Sequence, residues 1–220
     1  MSRNMAAVEK EILIKNAMIG TKASYNPPPI GLPSDSSASK SDSSDPFYQG
    51  CIRIHYHPYD SVDINEVYPN IFISDEGTAK NKSYLVSIGI THVVNAAEGH
   101  LMGFVNTCSK FYQSVGISYK GIHLADLAMS DASKYFKEVA EYMDKALKAG
   151  GKVLVHCVMG ISRSGTMVLA YLMMKRNMTA VEAMTTVRQK RNIHPNDGFI
   201  HQLARLDNKL IRKRRSMSPQ

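Results

Sequence analysis

A cysteine and an arginine stand six positions apart in this chain, at Cys157 and Arg163, between an apolar run (152–156) and a helical pattern that begins near Ser164. The five residues between them can curl their backbone N–H groups around one tetrahedral oxyanion. The helix that follows directs the positive end of its dipole at the same point. This order of residues predicts a binding loop for a phosphate monoester, with a cysteine at its floor.

The residue types in the loop indicate what it could do to such a ligand. A thiol with an ordinary pKa of about 8.5 is a weak nucleophile at neutral pH, but a helix N-terminus and a guanidinium can lower that pKa to roughly 3.5–7.5. We therefore expect Cys157 to be a thiolate and Arg163 to bind two phosphoryl oxygens with its planar fork. Ser162 and Ser164 are expected to donate hydrogen bonds to the sulfur, and Gly160 to let the loop turn.

Cleavage of a phosphate ester also requires an acid, because an alkoxide leaves poorly unless it is protonated. Asp126 follows a predicted strand (117–124), and ligands gather at the carboxyl edge of the sheet in α/β folds. Asp131 is the alternative, although Asp131 or Ser133 also stands where the N-cap of a predicted helix (133–149) belongs. We favour Asp126.

The other two cysteines lack this context. Cys51 and Cys108 follow no apolar run and precede no arginine at the same spacing, and a free cysteine is most often a small buried hydrophobic residue. Three cysteines in such a chain predict no disulfide framework.

Composition limits the broad class of the protein. The chain has 220 residues, of which 44% are hydrophobic, and about 160 of them could form one domain with a single core. No apolar run approaches the roughly 20 residues of a membrane span, and the stretch Ile12–Ile14 is too short for a secretory signal. We therefore expect no membrane association.

Three regions follow from the pattern along the chain. Residues 1–46 are predicted to be a disordered or weakly ordered arm, with a short helix at most over 6–14 and a polar tract from Ser34 to Asp45. Residues 47–211 are predicted to be the catalytic domain, and residues 212–220 a basic tail. Within the domain, glycines at 89 and 150–151 are expected to end helices, and Thr179 with Glu182 to form a capping box.

Alternating patterns within 47–211 predict an α/β fold, with a single central, mixed but mainly parallel sheet flanked by helices. The predicted strands are 71–74, 92–96, 117–124 and 152–156, and the predicted helices are 76–88, 105–115, 133–149, 164–176, 180–190 and 197–213.

The net charge of +8 is unevenly spread, because residues 1–46 sum to zero while residues 209–220 contribute +5 and the remainder +3. A modestly positive domain suits an enzyme that attracts anionic phosphoproteins. The basic tail is compatible with a solvated helix end, nuclear import, docking of an acidic partner or nucleic-acid contact.

The loop belongs to a longer resemblance. The run His156-Cys157-x-x-Gly160-x-Ser162-Arg163-Ser164 matches the signature of the cysteine-dependent protein phosphatases, and its surroundings resemble the small atypical dual-specificity branch. The similarity extends from about Pro58 to Leu210. The other segments that resemble this branch in order and spacing are 67–73, 89–99, 170–174, 187–191 and 195–199.

This resemblance implies a protein phosphatase that hydrolyses phosphotyrosine and phosphoserine or phosphothreonine through a phosphocysteine intermediate, with no cofactor and no metal. It aligns the general acid with Asp126. It also implies that Arg191 contacts a second phosphate on a doubly phosphorylated peptide; a solvated charge at a helix end is the alternative. The implied catalytic residues are Cys157, Asp126, Arg163 and Ser164, and the implied substrate-binding residues are Val158, Met159, Gly160, Ile161, Ser162, Arg163 and Arg191.

The absence of certain residues distinguishes between protein and lipid substrates and between types of phosphatase. No lysine or arginine precedes Arg163 in the loop, whereas relatives that act on inositol lipids usually carry basic residues there, so a protein substrate is favoured. The chain has no tryptophan and so lacks the Trp-Pro-Asp loop of the large tyrosine-specific relatives. We expect phosphoprotein partners, including MAP-kinase-like proteins, in the cytoplasm, the nucleus or both. A phosphoprotein-binding or scaffold module with little turnover is the alternative, and an RNA 5′-phosphatase is disfavoured.

Overall fold

The computed structural model describes residues 2–20 and 62–217 of the chain. The five strands are β1 (Ile64–Tyr68), β2 (Ile71–Ser74), β3 (His92–Asn95), β4 (Ser118–Gly121) and β5 (Val153–His156). The helices described are α1 (Ser2–Gly20), α2 (Glu76–Lys80), α3 (Lys82–Ser87), α4 (Ser109–Gln113), α5 (Ser133–Lys148), α6 (Arg163–Lys175), α7 (Ala180–Arg188) and α8 (Asp197–Met217).

The strands form one sheet in the order β1-β2-β5-β3-β4. Strands β2, β5, β3 and β4 are parallel, and β1 pairs antiparallel with β2 at one edge. The prediction of a mixed, mainly parallel sheet is confirmed. Because Ser74, Asn95 and His156 are in register, the loops that follow β2, β3 and β5 leave the sheet at the same level.

Helices cover both faces of the sheet. One face carries α5, whose buried side is the stripe Phe136, Val139, Ala140 and Met143, and α6, which is buried almost all round, as expected of a helix inside a core. The other face is covered by a smaller cluster around Leu85, Tyr112 and Leu154. The central strand β5 is buried along its whole length, and it therefore presents the residues that follow it from a rigid base.

The predicted glycine stops and the predicted capping box are found at the ends of helices. Gly89 and Gly150 have φ values of 79° and 78°, the left-handed conformation that glycine adopts without strain. Thr179 and Glu182 form the predicted capping box at the start of α7. The predicted helix 76–88 is instead two short helices, because Asn81 ends α2 and caps α3, and the antiparallel strand β1 was not predicted.

Helix α1 corrects the prediction of a disordered or weakly ordered arm for residues 2–20. It packs on α7 and α8, buries Ile14 and Met18 and pairs Lys15 with Asp197 at 2.8 Å. Lys10 also pairs with Asp207 of α8, so both apolar burial and ion pairs hold this helix against the domain. The rest of the predicted arm, residues 21–46, lies outside the described residues.

The predicted boundary between the domain and a basic tail at residue 212 is not a structural one. Helix α8 continues through the basic residues to Met217. The Nη2 of Arg214 lies 3.4 Å from the carbonyl oxygen of Met173 and 3.3 Å from that of Met178, so part of the cluster contacts the body. Across residues 2–20 and 62–217, no helix is both long and apolar enough to cross a membrane.

Candidate active site

The predicted phosphate loop joins the buried strand β5 to the buried helix α6. Cys157 directly follows β5 and is almost fully buried. The Oγ of Ser164, in the first turn of α6, lies 3.4 Å from its Sγ, as predicted. The sulfur therefore lies at the floor of the loop with a hydroxyl beside it.

The loop carbonyl groups are all turned toward the body of the protein. The oxygens of Val158 and Ile161 accept from the backbone N–H groups of Glu76 and His194, at 2.9 and 3.1 Å. Those of Met159 and Gly160 accept from Arg191. For the N–H groups of residues 158–163 we find no acceptor within the described part of the chain. Their free donors form the kind of cradle that binds a tetrahedral anion.

Gly160 is required by this geometry. Its φ is +65°, and a Cβ at this position would lie 2.4 Å from the carbonyl oxygen of Ser74 and 2.5 Å from Nη2 of Arg191. Both contacts are far inside van der Waals distance. The loop can therefore close against β2 only with glycine here.

Arg163 is buried, with hydrogen bonds from one nitrogen of its guanidinium and an ion pair from another. Its Nη1 donates to the carbonyl oxygens of Gly103 at 2.7 Å and Leu124 at 3.4 Å. Its Nε is buried without a hydrogen-bond partner, and lies 3.5 Å from Oδ2 of Asp126. An unsatisfied buried donor costs about 1–3 kcal/mol and is common at functional sites. The guanidinium is thus oriented by carbonyls and keeps a donor for a ligand.

Asp126 lies against the phosphate loop, as predicted. Its Oδ1 accepts hydrogen bonds from Oγ of Ser162 at 2.7 Å and from Nδ2 of Asn196 at 2.8 Å. Ser162 therefore differs from its predicted role, because its hydroxyl donates to the carboxylate rather than to the sulfur. The structure brings together Cys157, Arg163, Ser164 and Asp126.

Asp131 belongs to the start of α5 instead. Its Oδ1 accepts from the N–H and the Oγ of Ser133, at 3.0 and 2.6 Å. The hydroxyl of Ser133 holds the pKa of this carboxyl below its ordinary value. Although Ala132 is the N-cap residue, Asp131 satisfies a free N–H of the first turn, which is the structural role considered from the sequence.

Arg191 corrects the prediction of a second phosphate contact, and also the alternative of a solvated charge. It is buried, and its Nη1 and Nη2 bind both carboxylate oxygens of Asp63 at 2.7 and 2.6 Å. The remaining donors reach Asn65 Oδ1 at 2.9 Å, Gly160 O at 2.7 Å and Met159 O at 3.2 Å. A guanidinium has five N–H donors, and all five are used to anchor the phosphate loop to the segment around β1.

Asn196 is a site residue that the sequence did not reveal. Its Oδ1 accepts from the N–H of Phe199 at 3.0 Å and so caps α8, while its Nδ2 holds Asp126. An asparagine just before a helical pattern is an N-cap signal, which could have predicted the first contact. The second depends on a residue 70 positions away.

His156 supports the loop from below. It is fully buried, its Nδ1 lies 3.3 Å from the carbonyl oxygen of Cys157, and burial lowers its pKa to about 4. The imidazole is therefore neutral at pH 7. It acts as a hydrogen-bonding spacer under the loop rather than as a charge beside the sulfur.

The remaining loop residues line the surface beside the site. Met159 is largely exposed, and a cavity of about 320 Å³ lies next to it. This cavity is lined by Asp63, Asn65, Met159, Ile161, Lys190, Arg191 and Asn192. Within the described ranges, no three His, Cys, Asp or Glu side chains are grouped so as to hold a metal ion.

Comparison with known proteins gives a consistent result. The family model for the dual specificity phosphatase catalytic domain matches residues 71–209. The chain is 51% identical to human dual specificity protein phosphatase 13B over 151 residues, which cover 68% of this chain and 75% of that protein. The crystal structure of human DUSP28 superposes with a TM-score of 0.59 at 26% identity, covering 67% of this chain and 95% of that one. Human tyrosine phosphatase-like serine/threonine/tyrosine-interacting protein gives a TM-score of 0.56 at 27% identity, covering 68% and 98%.

Proposed function

Since the chain belongs to the dual specificity phosphatase family and is a dual-specificity protein phosphatase, we propose that Cys157, Arg163, Asp126 and Ser164 carry out its two chemical steps. The observation that carries this assignment is the loop of unpaired N–H groups around the buried sulfur, with the loop carbonyls turned away. Such a cradle stabilises a phosphoryl group whose negative charge spreads over its oxygens.

In the first step, the thiolate of Cys157 attacks phosphorus and the ester oxygen leaves. Arg163 binds the equatorial oxygens with the donors that the carbonyls of Gly103 and Leu124 leave free. Asp126 gives its proton to the departing oxygen, so that an alcohol rather than an alkoxide is released. The product is a phosphocysteine.

In the second step, water attacks the phosphocysteine and the sulfur leaves. Asp126, now ionised, accepts a proton from this water. The hydroxyl of Ser164, 3.4 Å from the sulfur, donates to the thiolate as it forms. Inorganic phosphate is released, and the proton balance of the cycle closes on Asp126.

We extend the proposal to partners and location. Phosphoproteins are the substrates, since the modestly positive charge of the whole domain attracts phosphorylated partners. MAP-kinase-like proteins are candidates within this class. The enzyme works in the cytoplasm, the nucleus or both, without membrane or nucleic-acid contact. The basic cluster 212–215 is the segment that would direct nuclear import.

The test is a Cys157→Ser variant. An alcohol keeps the cradle but lacks an accessible anion, so we expect turnover of a small aryl phosphate to be lost while a phosphopeptide still binds. The assay is run with chelator and reductant, and binding is measured by calorimetry. Turnover near the wild-type rate in this variant would refute the nucleophile assignment.

The same experiment addresses the alternative of a binding module. A module of that kind would bind phosphopeptide in both forms, with no phosphate released by the wild type. The presence of Cys157, Arg163 and Asp126 in one site favours the enzyme. Trapping of a phosphorylated wild-type cysteine by rapid acid quench would give direct support.

A further inference from the structure

Exposed apolar side chains lie on three loops at the edge of the sheet that carries the phosphate loop. We call these five residues the apolar rim. They are Leu101 (73% exposed), Met102 (99%), Leu127 (56%), Met129 (90%) and Met159 (64%).

The rim is continuous with the catalytic site. It lies on the loops that follow β3, β4 and β5, and the carboxyl ends of parallel strands meet at one edge of a sheet. The first loop supplies the Gly103 carbonyl that orients Arg163. In the second loop, Leu127 comes directly after Asp126, and Met159 lies inside the phosphate loop itself.

The loops are held by residues other than the rim. Phe104 stacks on His123 with ring centroids 4.4 Å apart, and the N–H of Glu98 donates to Ile122 O at 3.0 Å. Gln202 donates to Ser130 O at 2.8 Å. The rim side chains therefore contribute little to the fold, although a fixed backbone presents them at the edge of the cleft. Clustered exposed apolar residues of this kind mark interaction sites.

Charge on these loops favours an apolar occupant over an acidic one. No lysine or arginine occurs in residues 96–108, 122–132 or 157–162. The acidic side chains are already engaged: Glu98 accepts from Tyr119, Asp131 from Ser133, and Asp126 from Ser162. Lys190 lines the cavity beside Met159, but the three loops themselves offer an acidic segment no lysine or arginine in exchange for its lost hydration, whereas an apolar segment would cover the methionines and leucines.

We propose that the apolar rim binds the residues that flank the phosphorylated side chain, and that the enzyme prefers phosphopeptides with apolar residues there. This rests on the proposed function. An extended peptide advances about 3.3 Å per residue, so residues within three positions of the phosphoresidue lie about 10 Å from the loop or closer. Because methionine is flexible and adapts to its partner, the preference is for a class of residues rather than for one sequence.

The test uses three phosphotyrosine peptides that differ only in their flanks: leucine and methionine, serine and glycine, or glutamate. For each we measure kcat/KM and divide it by kcat/KM for a small aryl phosphate, which cannot reach the rim. We expect this ratio to be about tenfold higher for the apolar peptide than for the acidic one, as for other apolar contacts at enzyme sites.

Two rim variants and one control sharpen the result. Met102→Glu and Met129→Glu should each lower the ratio for the apolar peptide several-fold, and Met102→Lys should raise it for the acidic peptide. Val86→Glu changes a half-exposed apolar residue on α3, ahead of the start of β3 and therefore toward the opposite edge of the sheet, and should leave all ratios unchanged.

The outcomes separate the two proposals. If neither the aryl phosphate nor any peptide is hydrolysed, the proposed function fails. If all are hydrolysed with equal ratios, or the glutamate variants keep the wild-type ratio, the rim proposal fails alone. A concentration-dependent dimer that Met102→Glu abolishes, measured by analytical ultracentrifugation, would instead assign the rim to a second copy of the chain.

Discussion

Two buried arginines belong to the surroundings of the phosphate loop: Arg163 ends the loop and Arg191 binds its carbonyl oxygens. Their N–H donors are used in different ways. All five N–H donors of Arg191 form hydrogen bonds, to Asp63, Asn65 and the loop carbonyls. Arg163 uses Nη1 to bind the carbonyls of Gly103 and Leu124, while its Nε lies 3.5 Å from the Asp126 carboxylate and makes no hydrogen bond. Equal burial therefore does not imply equal roles, because a guanidinium can bind a ligand only with donors that the fold leaves free.

The largest expected effect comes from Arg163→Lys. Lysine keeps the positive charge but lacks the planar fork, so we expect kcat to fall by about 10³-fold, the low end for loss of an arginine that stabilises phosphoryl transfer. Steady-state kinetics with an aryl phosphate measures this. A fall of less than about tenfold would place the guanidinium outside the reacting centre.

Asn196→Asp tests the hydrogen bond between Asn196 and the general acid Asp126. Aspartate still caps α8, but it replaces the N–H donor that lies 2.8 Å from Asp126 by a second carboxylate oxygen. We expect kcat/KM for phosphoserine peptides to fall by about 30-fold, below the roughly 10²–10⁴-fold cost of losing an acid outright. The loss should be smaller with a nitrophenyl leaving group, which needs little protonation.

Two controls make the Asn196 result specific. Asn81→Asp keeps the cap of α3 and should leave the kinetics unchanged. In an Asp126→Asn background the Asn196 substitution should have little further effect, because the two residues act on one proton transfer. Additive losses would show that Asn196 acts through helix stability instead.

Arg191→Lys is expected to have a smaller effect on rate but a clear one on stability. The loop loses its bidentate anchor to Asp63, so kcat/KM should fall by about tenfold for singly and doubly phosphorylated peptides alike, with a loss of about 2 kcal/mol in unfolding free energy. Arg205→Lys, an exposed position on α8, is the matched control. A loss confined to doubly phosphorylated peptides would restore the second-phosphate role.

The last prediction concerns stability at low pH rather than rate, and it depends on His156. Its pKa of about 4 in the folded protein lies below the ordinary value of about 6.5, so the unfolded chain binds this proton first as the pH falls. Unfolding free energy should therefore decrease by about 3 kcal/mol between pH 6.5 and 4 on account of this group. Denaturant titrations across this range measure the slope, and His156→Asn should reduce it. An NMR titration showing His156 protonated near pH 6.5 would contradict the prediction.

Local signals explain what the sequence could predict. The phosphate loop, the capping box of α7 and the glycine stops each depend on residues within a few positions of one another, and all lie where expected. Asp126 was placed because a strand end fixes which edge of the sheet its loop occupies. Strand β1 was missed because it is a short edge strand with an irregular register at Glu66 and Tyr68.

The residues whose roles were wrongly predicted or missed all depend on contacts with distant parts of the chain. The role of Arg191 depends on its ion pair with Asp63, which is 128 positions away along the chain. The role of Asn196 depends on its hydrogen bond to Asp126, which is 70 positions away. Helix α1 was expected to be weakly ordered, but its lysines Lys10 and Lys15 pair with Asp207 and Asp197 of α8, almost 200 positions along the chain. The sequence around these residues does not predict such contacts, because they form only when elements far apart in the chain pack together.

Gly160 has a consequence for how this enzyme could diversify. Any side chain there would displace both Ser74 and Arg191, so mutation at this position removes the site rather than altering its preference. The neighbouring positions Val158, Met159 and Ile161 hold the loop in place through their carbonyl oxygens, which accept from Glu76, Arg191 and His194. A backbone carbonyl is the same for every amino acid. Val158 packs against the core, but the largely exposed side chain of Met159 can vary while the cradle stays intact, so new substrate preferences can evolve within the loop without rebuilding its chemistry.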